Sequence, residues 1–244
     1  MKCYIINLEY ENKRRSNIKK CISNSKINLD IEWIKAINGN KIEDVECIKN
    51  FDLEKYNKHN LWNIKKTEIA CTLSHRKCYS LLLESNYNYS LILEDDVEIT
   101  DWRILINSDL EKIFYKEKPT ILLLSGWFWY NKVVKKINNI NVCQIIDARL
   151  AHSYIINRSA ALRILSEKPW YKADHWYYLK NLGIDIFGLS PHIINIEKGI
   201  ASKSSINTGE PGIYHFTLKK WLLSKKVGIR RKIAKVIGHY ELPF

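Results

Sequence analysis

The sequence predicts an α/β fold with a mostly parallel central sheet. Three observations carry that expectation. Apolar runs without alternation, Leu91-Ile92-Leu93 and Ile121-Leu122-Leu123-Leu124, suit strands covered on both faces. Segments of helical periodicity lie between such runs, so strand and helix alternate along the chain. The first run leads directly into Glu94-Asp95-Asp96, which places three acids at a strand's carboxyl end, where open α/β sheets bind ligands.

Residues 3–8 read as the first strand. Residues 9–20 are highly charged, carry Ile18 and Ile22 on one face, and read as a helix. Arg14 and Arg15 near its start suit a diphosphate held at a βα turn, or simply a solvated basic face. Residues 31–37 alternate as a second strand and stop at Asn38-Gly39, a strong turn signal. Residues 40–66 are an irregular polar excursion with small helices, of the kind that covers a site. Residues 67–85 form a helix with Thr67 as its N-cap and with Glu68 and His75 stacked two turns apart. Cys71, His75 and Cys78 share a face of it but fall short of the paired ligand sets of zinc sites.

After the acidic triplet, residues 101–115 read as a helix and residues 120–124 as a buried strand. The run Trp127-Phe128-Trp129-Tyr130 that follows Gly126 is either core filler or a stacking surface for a sugar ring. Residues 131–150 form a strand pair turning at Asn138-Asn139, residues 151–157 a strand, and residues 158–165 a helix stopped before Pro169. Asp174 then stands among Trp170, Tyr171, Trp176 and Tyr177, neighbours that would desolvate it. A short strand at 184–189 precedes a glycine-containing polar loop at 199–215 that a ligand would order. From Thr217 the character changes: lysines and arginines interleave with apolar residues at helical spacing. We therefore divide the chain into a domain of residues 1–216 and a basic amphipathic tail of residues 217–244. The tail suits an anionic membrane surface, or packing on the domain with a solvated outer face.

Composition narrows the class. A chain of 244 residues with 46% hydrophobic content builds one sizeable core. Its 39 lysines and arginines against 26 acids give a formal charge of +13, which favours nucleotide phosphates, nucleic acid or an acidic membrane as partner. The N-terminus lacks signal-peptide features and no run is long enough to span a bilayer. Six cysteines scattered without C-x-x-C pairs read as reduced thiols of a cytoplasmic protein. Three adjacent carboxylates raise one another's pKa unless a cation sits among them, and hard oxygen ligands suit magnesium or manganese. The plain alternative is a polar loop with solvated acids.

Taken in order, Asn7-Leu8, Arg14-Arg15, Ala36-Ile37-Asn38-Gly39, Glu68-Ile69-Ala70-Cys71-Thr72-Leu73-Ser74-His75 and Leu93-Glu94-Asp95-Asp96-Val97 resemble glycosyltransferase family 25. That family contains bacterial lipooligosaccharide and lipopolysaccharide transferases and collagen galactosyltransferases. The resemblance implies a GT-A fold, a UDP-sugar donor (usually UDP-galactose), Mn2+ or Mg2+, and inversion at the anomeric carbon. It implies a saccharide acceptor of lipooligosaccharide, lipopolysaccharide or capsule, and a protein peripheral on the inner face of the cytoplasmic membrane. Carried over by residue, Asp96 and Glu94 would hold the metal and Asp95 would reach the ribose or a metal-bound water. Asn7, Leu8, Arg14, Arg15, Ala36, Asn38, Gly39, Glu68, Ser74 and His75 would surround the donor. Asp174 resembles the family's later acid near the acceptor and is the expected base, ahead of His152 and His175. The chain departs from the pattern at Thr67 or Ala70, where glycine is usual, and at Asn38, where aspartate is usual. UDP-glucose or a UDP-N-acetylhexosamine are alternative donors. A nucleic-acid-binding module and a metal-dependent phosphodiesterase are readings of other classes; the concentration of cations in the tail argues against the first.

Overall fold

The computed structural model describes residues 1–25, 27–41, 48–101, 103–106, 112–114, 117–196 and 216–242. The first half of the chain runs β1 (Lys2–Asn7), α1 (Asn12–Ser25), β2 (Asp30–Lys35), α2 (Leu53–His59), α3 (Lys66–Glu84), β3 (Tyr89–Glu94) and β4 (Val97–Ile99). A single 3-10 turn (Arg103–Ile106) precedes β5 (Thr120–Leu123), the hairpin of β6 (Phe128–Ile137) and β7 (Ile140–Ala148), and β8 (Ser153–Asn157). Then follow α4 (Arg158–Leu165), α5 (Trp176–Asn181), β9 (Asp185–Ser190), β10 (Ile194–Ile196), α6 (Leu218–Val236) and β11 (Tyr240–Glu241).

One nine-stranded sheet has the order β11-β6-β7-β9-β5-β8-β3-β1-β2, and β4 pairs with β10 in a separate two-stranded ribbon. The pairs β1/β2, β1/β3 and β5/β9 are parallel. Strand β8 is inserted antiparallel between β3 and β5, and β7, β6 and β11 extend the far edge antiparallel. The sheet is therefore mixed, with β1, β2, β3, β5, β9 and β6 sharing one direction.

Alternation along β1 explains the layering. Tyr4 and Ile6 face a core with Cys78, Leu82, Ala160 and Trp176, so α3, α4 and α5 cover that side. Cys3 and Ile5 face the other side, against Ile18 and Ile22 of α1. The central strands are buried on both faces; all five residues of β8 are. Tyr4, Ile5, Leu91 and Ile92 are each at most 1% exposed, which is why the sequence shows apolar runs rather than alternation.

Several expectations change in detail. Helix α3 begins one residue before Thr67, and Glu68 rather than Thr67 satisfies its start, accepting from the Lys65 backbone N–H at 2.8 Å. Strand β4 was not foreseen. Much of the helix expected over residues 101–115 lies outside the described residues, as does all of the 199–215 loop. In the aromatic run Phe128 and Tyr130 are core filler, whereas Trp127 and Trp129 are half-buried. Arg149 stacks over Trp127 at 4.9 Å and Arg231 over Trp129 at 4.9 Å.

The tail packs on the domain through one face only. Ala234 is buried, the Arg231 guanidinium pairs with Asp147 of β7, and β11 joins the sheet along β6. The opposite face exposes Leu218, Leu222, Ile229, Ile233 and Val236. No helix among the described residues is long and apolar enough to cross a membrane.

Candidate active site

Parallel strands β1 and β3 end side by side, which brings Asn7 and the acidic triplet together across a long stretch of sequence. The Asn7 side-chain amide donates to Asp95 Oδ2 at 2.6 Å. Arg14, at the start of α1, donates from Nη1 to Asp95 Oδ1 at 3.3 Å and lies 3.8 Å from Glu11. Asp95 is thus a positioned acceptor: burial raises its pKa, with Asn7 and Arg14 opposing that rise.

Glu94 is held from the other side by α3. His75 Nε2 lies 3.1 Å from Glu94 Oε1, and its Nδ1 lies 2.7 Å from the Tyr154 hydroxyl, which is in turn 2.6 Å from the Tyr79 hydroxyl. Burial raises the Glu94 pKa, but the His75 hydrogen bond and nearby charges outweigh it, and the net shift is downward. His75 and Tyr154 are buried, so this relay is fixed by the core.

Asp96 is less well supported, with the Arg14 charge and a backbone hydrogen bond opposing the rise in its pKa. Burial, then the charges of Glu94 and Asp95, push its pKa up to about 7. Its Oδ1 is buried without a hydrogen-bond partner. An orphaned carboxylate oxygen beside two further carboxylates is a site with unspent affinity for a cation.

A narrow cleft opens over Glu94 and Asp95, whereas Asp96 and Asn7 are not among its lining residues. Leu8, Arg14, Ala36, Asn38, Gly39, Ser74, His75, Glu94 and Asp95 line it, together with Ile6, Ile37, Asn40, Thr67 and Cys71. Thr67 contributes a second buried hydroxyl without a partner. Ser74 is the clamp that shapes the wall: its hydroxyl accepts from the Ile37 N–H at 2.9 Å and donates to the Ala70 carbonyl at 2.7 Å. Gly39 allows the turn to touch α3, since a Cβ there would lie 2.7 Å from the Lys66 carbonyl oxygen. The Asn38 side chain closes the turn by accepting from the Asn40 N–H at 3.0 Å.

Two residues expected around the donor sit elsewhere. The Arg15 guanidinium lies 4.4 Å over the Trp33 ring and is not among the residues lining the cleft. Glu68 does not line the cleft; it caps α3 and pairs with Lys172 at 2.5 Å. The Cys71, His75 and Cys78 grouping also changes: Cys78 is buried in the core, and Glu94 takes its place beside Cys71 and His75.

Asp174 borders a second, larger cleft of about 520 Å³. Its walls carry Trp62, Arg149, Tyr177 and Tyr178, and α6 supplies Lys220, Leu223, Val227 and Arg231. The Leu150 N–H donates to Asp174 Oδ2 at 3.4 Å, and Leu150 has φ +66°, a left-handed backbone rarely adopted by leucine. Cys71 lines the first cleft. Its thiol pKa is raised well above the ordinary value by burial, then by Glu94, Asp174, Asp96 and Glu68, so all four carboxylates act on it. His152 and His175 are less suited to proton transfer. Burial depresses them to about 4 and about 3 respectively, which leaves both neutral and weakly basic. Tyr154, Arg149 and Trp62 were not singled out by the sequence, because nothing in their neighbours distinguishes them from ordinary core or surface aromatics and cations.

The chain is similar to several known proteins. A Haemophilus influenzae protein described as "Putative glycosyltransferase" is 36% identical over 96 residues, covering 39% of this chain and 32% of that protein. The match therefore spans about a third of the relative's length. Among solved structures, a mutant of Drosophila β-1,4-galactosyltransferase 7, complexed with manganese, UDP-Gal and xylobiose, aligns at TM-score 0.43 with 7% identity. That alignment covers 90% of this chain and 78% of the other. The galactosyltransferase LgtC, with donor and acceptor sugar analogues, aligns at TM-score 0.39 with 10% identity over 96% of each chain. The model of glycosyltransferase family 25 (LPS biosynthesis protein) matches residues 1–175, which include the acidic triplet, the cleft walls and Asp174. The chain belongs to glycosyltransferase family 25.

Proposed function

We propose that this protein transfers a hexose from a UDP-sugar, UDP-galactose first, to a saccharide acceptor with inversion at the anomeric carbon. The observation that carries the reading is the pair of orphaned polar groups, Asp96 Oδ1 and Thr67 Oγ1, beside a cleft whose other acids are already held. A bound nucleotide diphosphate with its metal would satisfy both. Asp96 and Glu94 are the residues that would hold Mn2+ or Mg2+, which as an electrophile neutralises the departing diphosphate. Arg14 adds a fixed positive charge on the same side, and Asn7 keeps Asp95 oriented toward the donor.

In this reading the larger cleft takes the acceptor sugar, with Trp62 and Tyr177 offering faces for its ring. Asp174 accepts the proton of the attacking hydroxyl as the new glycosidic bond forms on the face opposite the breaking bond to the diphosphate. Asp174→Asn is expected to reduce turnover by on the order of 100-fold or more while leaving UDP affinity unchanged. Calorimetry with UDP and manganese, run beside the turnover assay, checks both halves; loss of UDP binding along with turnover would remove Asp174 from the role of base.

Family membership supports the GT-A reading, and a saccharide acceptor of lipooligosaccharide, lipopolysaccharide or capsule is part of the same proposal. The outward apolar stripe of α6, flanked by Lys225, Lys226, Arg230 and Lys232, supports docking on the anionic inner face of the cytoplasmic membrane. Because the inner face of α6 walls the acceptor cleft, such docking would bring that cleft to a lipid-linked glycan.

A further inference from the structure

We infer that Cys71, His75 and Glu94 form a binding site for a soft divalent ion of the zinc class, separate in chemistry from the hard-metal role of the acidic triplet. The Cys71 sulfur, a His75 ring nitrogen and a Glu94 carboxylate oxygen all lie within 4.8 Å of one another. The His75 Nε2 to Glu94 Oε1 separation is 3.1 Å. Tetrahedral zinc with its usual bond lengths sets ligand nitrogen and oxygen roughly 3.3 Å apart, and sulfur and nitrogen roughly 3.6 Å apart. Two ligands are already near that spacing, and a small turn of Cys71 and Glu94 would complete the set.

The surroundings are those of a ligand set. His75 is oriented through its remote nitrogen by Tyr154, which Tyr79 holds in turn, the outer-shell arrangement that fixes a metal-binding imidazole. Helix α3 presents Cys71 and His75 one turn apart on the same face, and the end of β3 supplies Glu94 opposite. A thiolate donor selects zinc or cobalt over magnesium and manganese. Binding would displace the Cys71 thiol proton to solvent and take Nε2 of the neutral His75 imidazole, whose ring proton then sits on Nδ1 toward Tyr154, leaving a fourth position for water or substrate.

The consequence for catalysis rests on the transferase reading. An ion held here engages Glu94 and fills the floor of the donor cleft, so zinc would compete with the hard metal and the UDP-sugar. The site itself stands independently of that reading.

The test uses the full-length protein and Co2+ as a spectroscopic stand-in for zinc. A near-ultraviolet thiolate-to-cobalt charge-transfer band is expected, displaced by equimolar Zn2+ but by Mg2+ only at a far larger excess, since the two sites share Glu94. Cys71→Ser should abolish the band and weaken Co2+ binding by more than about 100-fold, the upper end of what outer-shell losses cost. Asp96→Asn should retain the band, and circular dichroism would verify that both variants are folded. A thiolate band that survives in folded Cys71→Ser, or no band in the parent, overturns the proposal. A band in a protein that turns over no UDP-sugar would leave this site standing and remove the transferase reading; turnover without a band would do the reverse.

Discussion

Asp96 is the residue on which the site's electrostatics turn. Its ordinary pKa of 3.8 is pushed up to about 7 in the folded chain, first by burial and then by Glu94 and Asp95. The linkage has a definite sign. Between those two values the folded state holds the proton more tightly than the unfolded state, so stability from this group is full below pH 4 and is lost as pH rises through about 7. His152 and His175, depressed to about 4 and about 3 by burial, push the other way over much of that range, so the parent's own pH profile is a sum of opposing trends. The difference between parent and Asp96→Asn isolates one contribution. Without metal, Asp96→Asn should melt at a higher temperature than the parent by an amount that grows from pH 4 to pH 7. Saturating manganese should shrink or reverse that gap at pH 7, measured by differential scanning fluorimetry. A gap that is constant with pH would contradict the buried, unpaired state of Asp96. The acids themselves were legible in the sequence because three stand together after an apolar run. Their separate fates were not: Asn7 reaches Asp95 from 88 positions away, and the His75 relay to Tyr154 spans 79. Only the sheet register brings those partners together.

At the level of elements, the site depends on the turn after β2 pressing against the start of α3. Gly39 makes that contact and Ser74 secures it. Gly39→Ala should therefore destabilise the protein by about 1–3 kcal/mol and weaken UDP binding, because the turn must withdraw from α3 and the cleft wall moves with it. Urea denaturation and calorimetry measure the two effects, and an unchanged UDP affinity would show that the wall does not touch the donor. The sequence marks this turn clearly through Asn38-Gly39, and it marks α3 through its length and apolar spacing. It misplaces the cap, since Thr67 is a good N-cap by type but Glu68 satisfies the backbone from inside the first turn. It likewise suggests two arginines at a diphosphate, where Trp33 holds one of them away. Strands β3 and β5 were easy to read as buried because both faces are covered. That β8 enters between them in the opposite direction is a property of the connection, which local pattern does not encode.

For the whole molecule, α6 has two incompatible-looking faces that the structure reconciles. The inner face, with Ala234 buried and Arg231 paired to Asp147, is part of the domain and of the larger cleft. Removing residues 217–244 would therefore strip a wall of that cleft and a strand of the sheet, and loss of activity on truncation would say little about membranes. Outer-face changes are the cleaner probe. Leu222→Glu combined with Ile229→Glu should lower binding to anionic liposomes while turnover of a soluble acceptor persists, because both side chains point away from the cleft. Unchanged liposome binding in a sedimentation assay would assign the stripe some other partner. The basic amphipathic pattern was legible from sequence, but its two readings could be separated only by seeing that one face is occupied and the other is not. Metal-dependent glycosyl transfer at the acidic triplet is open to a UDP-release assay. The assay takes the parent and Asp96→Asn through a panel of UDP-sugars with a glycan acceptor, each with manganese and with chelator. The account predicts release from one preferred sugar in the parent, abolished by chelator and by Asp96→Asn. Release that persists with chelator, or near-normal release from folded Asp96→Asn, would contradict it.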